Sequence, residues 1–329
     1  MRAESDSLPS VSKVGLVLGG GGITGAAFHF GTLLAIEMAT GWDPNDAEVV
    51  IGTSSGAFVV AAVRSNALHI DAFTGTGETE EEIHEWLSGY LYRRGTPRGA
   101  IRWLKKGLAP AIRRPNLYFT LGSPGLYRTD GISEWVTHVA GDLAASWPEK
   151  PTAVVAYDLE SRTRAPFGTE GAPDVGLADA VAASSAMPFV YEPVKIHDRW
   201  YADGGLGSGT SADLVLAHPE PLDLVLIVAP LAATESRKRG RFYEDIFDRA
   251  GRTALAQELA MIREAWPETE ILVLRPDEQV LDIARPNPMS VGAAIPAFLT
   301  TLRAMKFELA RPSVWSVLER HLGVVTSGS

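Results

Sequence analysis

A serine stands at the centre of the pentapeptide 52–56, Gly-Thr-Ser-Ser-Gly, between a short apolar run and a stretch of small residues. Val49–Ile51 predicts a buried strand and residues 57–66 predict a helix, so the pentapeptide forms the sharp turn between them. Glycines on both sides of such a turn leave room for neighbouring elements, and Ser54 stands at its apex, at a helix N-terminus. The helix dipole there favours developing negative charge, which suits a nucleophile. A plain turn that caps a buried helix is the structural alternative.

A second glycine-rich segment, Gly-Gly-Gly-Gly-Ile-Thr-Gly, occupies residues 19–25. It follows the predicted strand Val14–Leu18 and precedes an apolar-periodic helix at 26–38. Successive glycines allow several backbone N–H groups to converge on one anion. The segment therefore predicts an anion site beside the serine turn of the next strand.

Two anions fit such a site. A dinucleotide pyrophosphate is one, because Gly20, Gly22 and Gly25 match G-x-G-x-x-G. That motif needs an acidic residue at the end of the second strand, where this chain has the turn of Ser54 instead. The oxyanion of an acyl-transfer intermediate is therefore the favoured anion.

A serine hydroxyl needs a base to become a nucleophile. In the chain order of an α/β-hydrolase, the histidine candidates are His218 and His321, and both occupy positions typical of surface residues. Asp203 is the favoured partner: it follows the short strand Arg199–Ala202 and precedes Gly204-Gly205, which allow close approach to another segment. A hairpin turn at Asp-Gly is the structural alternative for this residue.

Apolar strand candidates alternate with helical patterns along most of the chain, which predicts an α/β fold with a mainly parallel sheet and helices on both faces. The alternation stops between about 70 and 126, and we interpret this stretch as a helical insertion over the sheet. Residues 13–322 are predicted to form a single domain, with flexible segments at 1–12 and 323–329. The strand candidates are Val14–Leu18, Glu48–Ile51, Thr152–Asp158, Val194–Ile196, Arg199–Ala202, Asp223–Ala229 and Glu270–Arg275.

Composition excludes several classes of function. The chain of 329 residues has no cysteine, so disulfides, thiolate zinc sites and cysteine nucleophiles are absent, and no His/Asp/Glu cluster has metal-binding spacing. A formal net charge of -10 argues against nucleic acid as a partner. The polar start predicts no secretory signal, and we find no apolar run near the ~18 residues that cross a bilayer. We expect a cytoplasmic protein, soluble or peripheral to a membrane.

Three motifs in order, Gly19–Gly25, Gly52–Gly56 and Asp203–Gly205, resemble the signatures of the patatin-like phospholipase family. The resemblance covers about residues 13 to 230. It implies a three-layer α/β/α fold with a mainly parallel sheet and a helical, lid-like insertion. Weaker similarities occur at Tyr157–Glu160 and Ala182–Phe189.

The resemblance implies a Ser-Asp dyad that hydrolyses acyl esters of lipids, as a phospholipase A or a carboxylesterase, without a cofactor. Ser54 would be the nucleophile, Asp203 the general base, and the N–H groups of Gly20, Gly21 and Gly22 the oxyanion hole. Ser54 would form an acyl-enzyme, and water aligned by Asp203 would hydrolyse it. Two alternatives remain open: a catalytically silent lipid-binding or regulatory protein with this fold, and a histidine-dependent α/β-hydrolase.

The chain departs from the family pattern at two points. Thr24 stands where the family usually has Arg or Lys, so a positive charge beside the glycine loop is missing. The stretch 206–211, Leu-Gly-Ser-Gly-Thr-Ser, replaces the Asn and Pro that usually follow Asp-Gly-Gly. Both differences motivate the silent alternative.

One segment predicts a membrane contact. The charged side chains of Arg93–Arg114 are all basic and are interleaved with apolar residues, which suits a lid or docking element on an anionic lipid surface. A solvated helix that pairs with the acidic cluster Glu78–Glu85 is the alternative. The aromatic candidates for an acyl-chain pocket are Trp86, Tyr90, Tyr118, Phe119 and Tyr127.

Overall fold

The computed structural model describes residues 12–75, 77–94, 125–233, 242–284 and 287–323. Its centre is one mixed sheet. The strands are β1 Val14–Leu18, β2 Val49–Thr53, β3 Thr152–Asp158, β4 Thr163–Phe167, β5 Val194–Ile196, β6 Arg199–Asp203, β7 Leu224–Val228 and β8 Glu270–Leu274.

The strand order is β5-β6-β3-β2-β1-β7-β8, and β4 pairs with β3. The pairs β1–β2, β1–β7, β2–β3 and β7–β8 are parallel, whereas β4 and β6 run antiparallel to β3. The carboxyl ends of the parallel strands meet at one edge of the sheet, which is where ligands bind in open α/β folds.

Helices cover both faces of the sheet. In β1, Leu16 and Leu18 pack into one apolar core, and Val17 points into a second core together with Leu255 and Leu259. This alternation buries the strands on both sides, as parallel sheets require, and confirms the predicted three-layer α/β/α architecture. The helices are α1 Gly22–Thr40, α2 Ser55–Arg64, α3 Ile70–Thr74, α4 Glu80–Leu91, α5 Asp130–Ala140, α6 Leu177–Ser184, α7 Phe242–Ala265, α8 Glu278–Ala284, α9 Ala294–Leu309 and α10 Pro312–Leu322.

Helix α1 begins at Gly22, four residues before the helix predicted from the apolar period. The glycine loop is therefore shorter than expected, and Gly25 lies in the first helical turn. Side-chain-free positions are needed here because a Cβ on Gly21 would lie 2.7 Å from Pro230 Cβ, and one on Gly31 would lie 2.9 Å from Thr301 Cβ. Close packing, rather than a longer loop, explains part of the glycine content.

Helix α1 is also long and apolar enough to cross a membrane, judged by length and composition alone. This corrects the expectation that no apolar stretch approaches the required length, which arose because the first turn was assigned to the loop. Of its apolar window, 67% is buried inside the fold. The core helix of a soluble protein meets the same criterion, so the finding is weak support for a membrane span.

Within the insertion predicted at 70–126, the structure describes residues 70–75 and 77–94, which contain α3 and α4, and residues 125–126 at the other end. Helix α4 begins with a capping box in which Thr79 and Glu82 satisfy each other's backbone N–H groups. Most of the basic segment, along with Tyr118 and Phe119, lies outside the described residues. The domain boundaries and the docking role of the segment therefore remain predictions.

Candidate active site

The sheet brings the serine turn and Asp203 together. Thr53, the last residue of β2, pairs with Val155 of β3, and Asp203, the last residue of β6, pairs with the next residue, Ala156. The two strands run in opposite directions, so their carboxyl ends approach each other beside β3. Ser54 Oγ donates a hydrogen bond of 2.6 Å to Asp203 Oδ2.

Ser54 occupies a strained backbone conformation at the turn from β2 into α2. Its φ is 54° and its ψ is -118°, which is rare for a residue with a side chain and costs about 1–3 kcal/mol. The flanking glycines make the turn possible: a Cβ on Gly56 would lie 1.9 Å from the Leu18 carbonyl oxygen, and one on Gly52 would lie 2.5 Å from a Val60 methyl. The strand-turn-helix context predicted from the sequence is thus present.

Two further serines hold the backbone of Ser54. Its N–H donates to Ser184 Oγ at 2.9 Å, and Ser184 Oγ donates to the Val155 carbonyl at 2.6 Å. Ser185 Oγ donates to the Ser54 carbonyl at 3.3 Å. Both serines are buried at the end of α6. The sequence offered one sign of this support, the family-like stretch 182–189, but not its purpose.

Asp203 is a buried carboxyl group held at both oxygens. Oδ2 accepts the Ser54 hydroxyl, and Oδ1 accepts the Gly205 N–H at 2.7 Å. Burial raises the pKa of Asp203 to about 6, although the hydrogen bonds from Ser54 and Gly205 act in the opposite direction. The carboxyl group is therefore a stronger base than an exposed aspartate and is still mostly ionised at neutral pH.

The three glycine N–H groups that were expected to form an oxyanion hole differ in their hydrogen bonds. The N–H of Gly20 donates to the Gly209 carbonyl at 2.7 Å, so it is already used. Among the described residues, the N–H groups of Gly21 and Gly22 have no hydrogen-bond acceptor. The loop thus differs from the expected arrangement at Gly20, because the segment after Asp203 packs against it.

His29, on α1, hydrogen-bonds the start of the glycine loop. Its Nε2 lies 2.6 Å from the Gly19 carbonyl oxygen, and the ring is fully buried. Burial lowers the pKa of His29 to about 4, against the effect of the bond to Gly19. The ring is neutral at neutral pH, and since a carbonyl only accepts, Nε2 carries the proton.

Thr24 has a structural role at the position where the family usually carries a positive charge. It is buried, and its N–H donates to the Pro288 carbonyl at 3.1 Å, with its hydroxyl 3.5 Å from the same oxygen. The residue thus ties α1 to the segment before α9. A pocket beside Ser54 also lacks a positive charge, since none of its described lining residues is basic.

An apolar pocket opens beside Ser54 and Asp203 and encloses about 60 Å³. Its wall differs from the predicted one, because Trp86, Tyr90 and Tyr127 do not line it; Tyr127 instead packs against Tyr92 and Tyr191. Position along the chain could not indicate which aromatic side chains turn inward. The larger apolar residues of the wall are Ile23, Phe30, Phe58, Leu87, Leu91, Ile132, Trp135, Met187, Tyr191 and Met289.

The two histidine candidates lie at the opposite edge of the sheet. His218 Nε2 is 3.6 Å from Glu48, just before β2, and His321 Nε2 is 2.6 Å from Glu270, at the start of β8. Ser54 follows the carboxyl end of β2, so a whole strand length separates it from these groups.

The comparison with protein families decides the relationship. The model of the patatin-like phospholipase family matches residues 16–216, a range that includes Ser54 and Asp203. The chain belongs to this family. Membership indicates, in the broad sense, a hydrolase that acts on acyl esters of lipids. No curated protein sequence matches this patatin-like chain.

Two solved structures show distant similarity to this patatin-like chain. VipD from Legionella pneumophila has 12% sequence identity and a TM-score of 0.34, over 91% of this chain and 67% of VipD. Human GIVD cytosolic phospholipase A2, solved in complex with methyl gamma-linolenyl fluorophosphonate, has 11% identity and a TM-score of 0.39, over 94% of this chain and 60% of that protein. Similarity this distant does not bear on substrate or mechanism.

Proposed function

We propose that this protein hydrolyses acyl esters of lipids through a Ser54–Asp203 dyad, as a phospholipase A or a less selective carboxylesterase. One observation carries the proposal: the hydrogen bond of 2.6 Å between Ser54 Oγ and Asp203 Oδ2 lies in the wall of an apolar pocket. A nucleophile, its base and a surface for an acyl chain thus share one site.

In the first half-reaction, Asp203 removes the Ser54 proton as Oγ attacks the ester carbonyl carbon. The carbonyl oxygen becomes an oxyanion, which accepts hydrogen bonds from the N–H groups of Gly21 and Gly22; removal of one such donor typically costs about 3 kcal/mol. The tetrahedral species collapses when the alkoxide leaving group takes the proton from Asp203. The products are a free alcohol and an acyl ester on Ser54.

In the second half-reaction, Asp203 takes a proton from water as the water oxygen attacks the acyl carbon of the Ser54 ester. The same donors stabilise the second oxyanion. Collapse releases the carboxylic acid and returns the proton to Ser54 Oγ. Asp203 thus alternates between base and acid, which suits a group with a pKa of about 6 at neutral pH.

The histidine-dependent alternative receives no support from the site, since the only titratable group that hydrogen-bonds Ser54 Oγ among the described residues is Asp203. The silent alternative is motivated by Thr24 and by the altered loop at 206–211. It predicts a different outcome, because a silent protein binds lipid without turnover. Contact with an anionic membrane through 93–114 and residence in the cytoplasm remain predictions.

The proposal is tested by ester hydrolysis with wild type and Ser54→Ala, using acyl esters of several chain lengths. We expect Ser54→Ala to lower kcat at least a thousandfold, because Ser54 carries the only hydroxyl that hydrogen-bonds Asp203 among the described residues. Ser65→Ala is the matched control: Ser65 lies at the other end of α2, where its hydroxyl hydrogen-bonds the backbone carbonyls of Ala61 and Ala62. Equal activity of wild type and Ser54→Ala would exclude the dyad, and an inactive wild type that still binds lipid would favour the silent alternative.

A further inference from the structure

Glu258 is a buried carboxylate on α7, outside the part of the chain that the family model matches. Its Oε2 accepts hydrogen bonds from Thr210 Oγ1 at 2.6 Å and from the Ala212 N–H at 2.9 Å. Its Oε1 accepts the hydroxyl of Ser208. One carboxylate thus holds three groups of a single loop that follows Asp203.

A charge at this depth needs compensation, because an unpaired buried carboxylate is costly. Arg164 supplies part of it, with Nη1 3.8 Å from Glu258 Oε1. The same guanidinium makes two bonds of 2.6 Å to the carboxylate of Asp213, at the far end of the loop. The loop is therefore fixed by charge-assisted bonds at several points.

The loop held by Glu258 contacts the glycine loop directly. Ser208 Oγ accepts the N–H groups of Thr210 and Ser211 at 3.2 Å and 3.1 Å, which encloses Gly209 in a tight turn. The carbonyl of Gly209 then accepts the Gly20 N–H at 2.7 Å. This bond sets the orientation of Gly20, and therefore the direction of the two N–H groups that follow it.

The loop is also tied to the residue after Asp203. The N–H of Ser208 donates to the Gly204 carbonyl at 3.2 Å, and a Cβ on Gly204 would lie 2.0 Å from the Val155 carbonyl oxygen. The backbone between Asp203 and the loop is therefore held in place by a hydrogen bond and by close packing. A loop of this composition, rich in glycine and serine, has little intrinsic rigidity, so its order depends on outside contacts.

From these contacts we propose that Glu258 is a positioning residue for the catalytic centre. It fixes the turn at Ser208–Ala212, so that the Gly209 carbonyl holds Gly20 and directs the N–H groups of Gly21 and Gly22 toward the oxyanion. This inference rests on the proposed function. Among the described residues, no hydrogen bond or ion pair joins Glu258 to Ser54 or Asp203, so its effect on the reaction passes through the two loops.

The test compares Glu258→Gln with wild type by two readouts. The first is amide hydrogen exchange in the peptide that contains Gly20, which does not depend on activity. We expect exchange to become at least tenfold faster in Glu258→Gln, because the amide cannot accept all three bonds and the Gly209 carbonyl is released. The second is ester hydrolysis, where we expect kcat to fall about 10- to 100-fold while KM changes less than threefold.

Glu270→Gln is the matched control, since Glu270 pairs with Arg320 and His321 at the opposite edge of the sheet. It should leave Gly20 exchange and kcat unchanged. If Glu258→Gln does not fold, two variants of Thr210 replace it. Thr210→Val removes the hydrogen bond from Thr210 to Glu258 and keeps the shape of the side chain, whereas Thr210→Ser keeps a hydroxyl at this position. We expect Thr210→Val to lower kcat and speed exchange at Gly20, and Thr210→Ser to restore both.

Three results would overturn the positioning role: unchanged exchange at Gly20, faster exchange with unchanged kcat, or a loss of activity explained fully by a smaller folded fraction. Failure of the proposed function looks different. In that case wild type and Ser54→Ala are equally inactive, and the exchange measurement still decides whether Glu258 fixes the glycine loop.

Discussion

Replacing Asp203 with asparagine is expected to lower kcat about a thousandfold and to leave KM within a fewfold of the wild-type value. The amide keeps the shape of the carboxyl group and an acceptor for the Gly205 N–H, but it cannot take the Ser54 proton. General bases typically contribute 10²–10⁴ in rate, and here one group serves both half-reactions. Steady-state kinetics on an acyl ester checks the result, and activity close to that of wild type would exclude Asp203 as the base.

The same substitution is expected to stabilise the folded protein. Burial raises the pKa of Asp203 from 3.8 to about 6. Above pH 6 the carboxyl group is ionised in both states, and its ionisation costs more free energy in the folded protein than in the unfolded chain. The corresponding cost is roughly 3 kcal/mol, and asparagine removes it. The gain should be full above pH 6 and should shrink as the pH falls toward 3.8, where both states of wild type become protonated.

Denaturant unfolding of wild type and Asp203→Asn at pH 7.5 and pH 4 measures this difference. Comparing the two proteins at each pH cancels the contribution of His29, which titrates in the same range. A lower free energy of unfolding for Asp203→Asn than for wild type at pH 7.5 would mean that burial of the Asp203 carboxylate does not destabilise the folded protein.

The rate is expected to fall with acidity because the base must be ionised. With a pKa of about 6 for Asp203, kcat/KM should be constant above pH 7 and about tenfold lower at pH 5. Measurements between pH 5 and 8 stay above the range in which His29 becomes charged. Enzyme held at pH 5 and returned to pH 7.5 should recover full activity, which separates protonation from unfolding.

A profile without an acid limb would contradict this assignment of the base. Persistence of the same limb in Asp203→Asn, measured on its residual activity, would also contradict it, because the titrating group would then be a different residue.

Much of the fold could be predicted from apolar runs. The inner strands β1, β3 and β7 are buried on both faces, so their residues are apolar almost without interruption. The predicted bounds match those of β1 and β3, and those of β7 are one residue too long at each end. Strand β4 was missed because Thr163–Phe167 is partly exposed and contains a proline, which is typical of an edge position. Its place depends on pairing with β3, which no local pattern indicates.

Some residues of the candidate site could likewise be predicted from the sequence, and others could not. Ser54 and the glycine loop could be found because their backbone demands glycine at short spacing, which is visible in the sequence. Glu258 could not, since its partners lie about fifty residues earlier and the turn it holds has no motif of its own. The capture of Gly20 by Gly209 is likewise a tertiary contact. Local backbone requirements can therefore be recognised from short sequence motifs, whereas contacts between distant loops cannot.

Covalent capture of the nucleophile tests the central claim most directly. Wild type, Ser54→Ala and Ser65→Ala are incubated with a fluorophosphonate, which reacts with activated serines, and the adducts are mapped by mass spectrometry. We expect one adduct per chain on Ser54 in wild type and Ser65→Ala, and none in Ser54→Ala. An unlabelled wild type, or an adduct on a different residue that persists in Ser54→Ala, would contradict the assignment of Ser54 as the nucleophile.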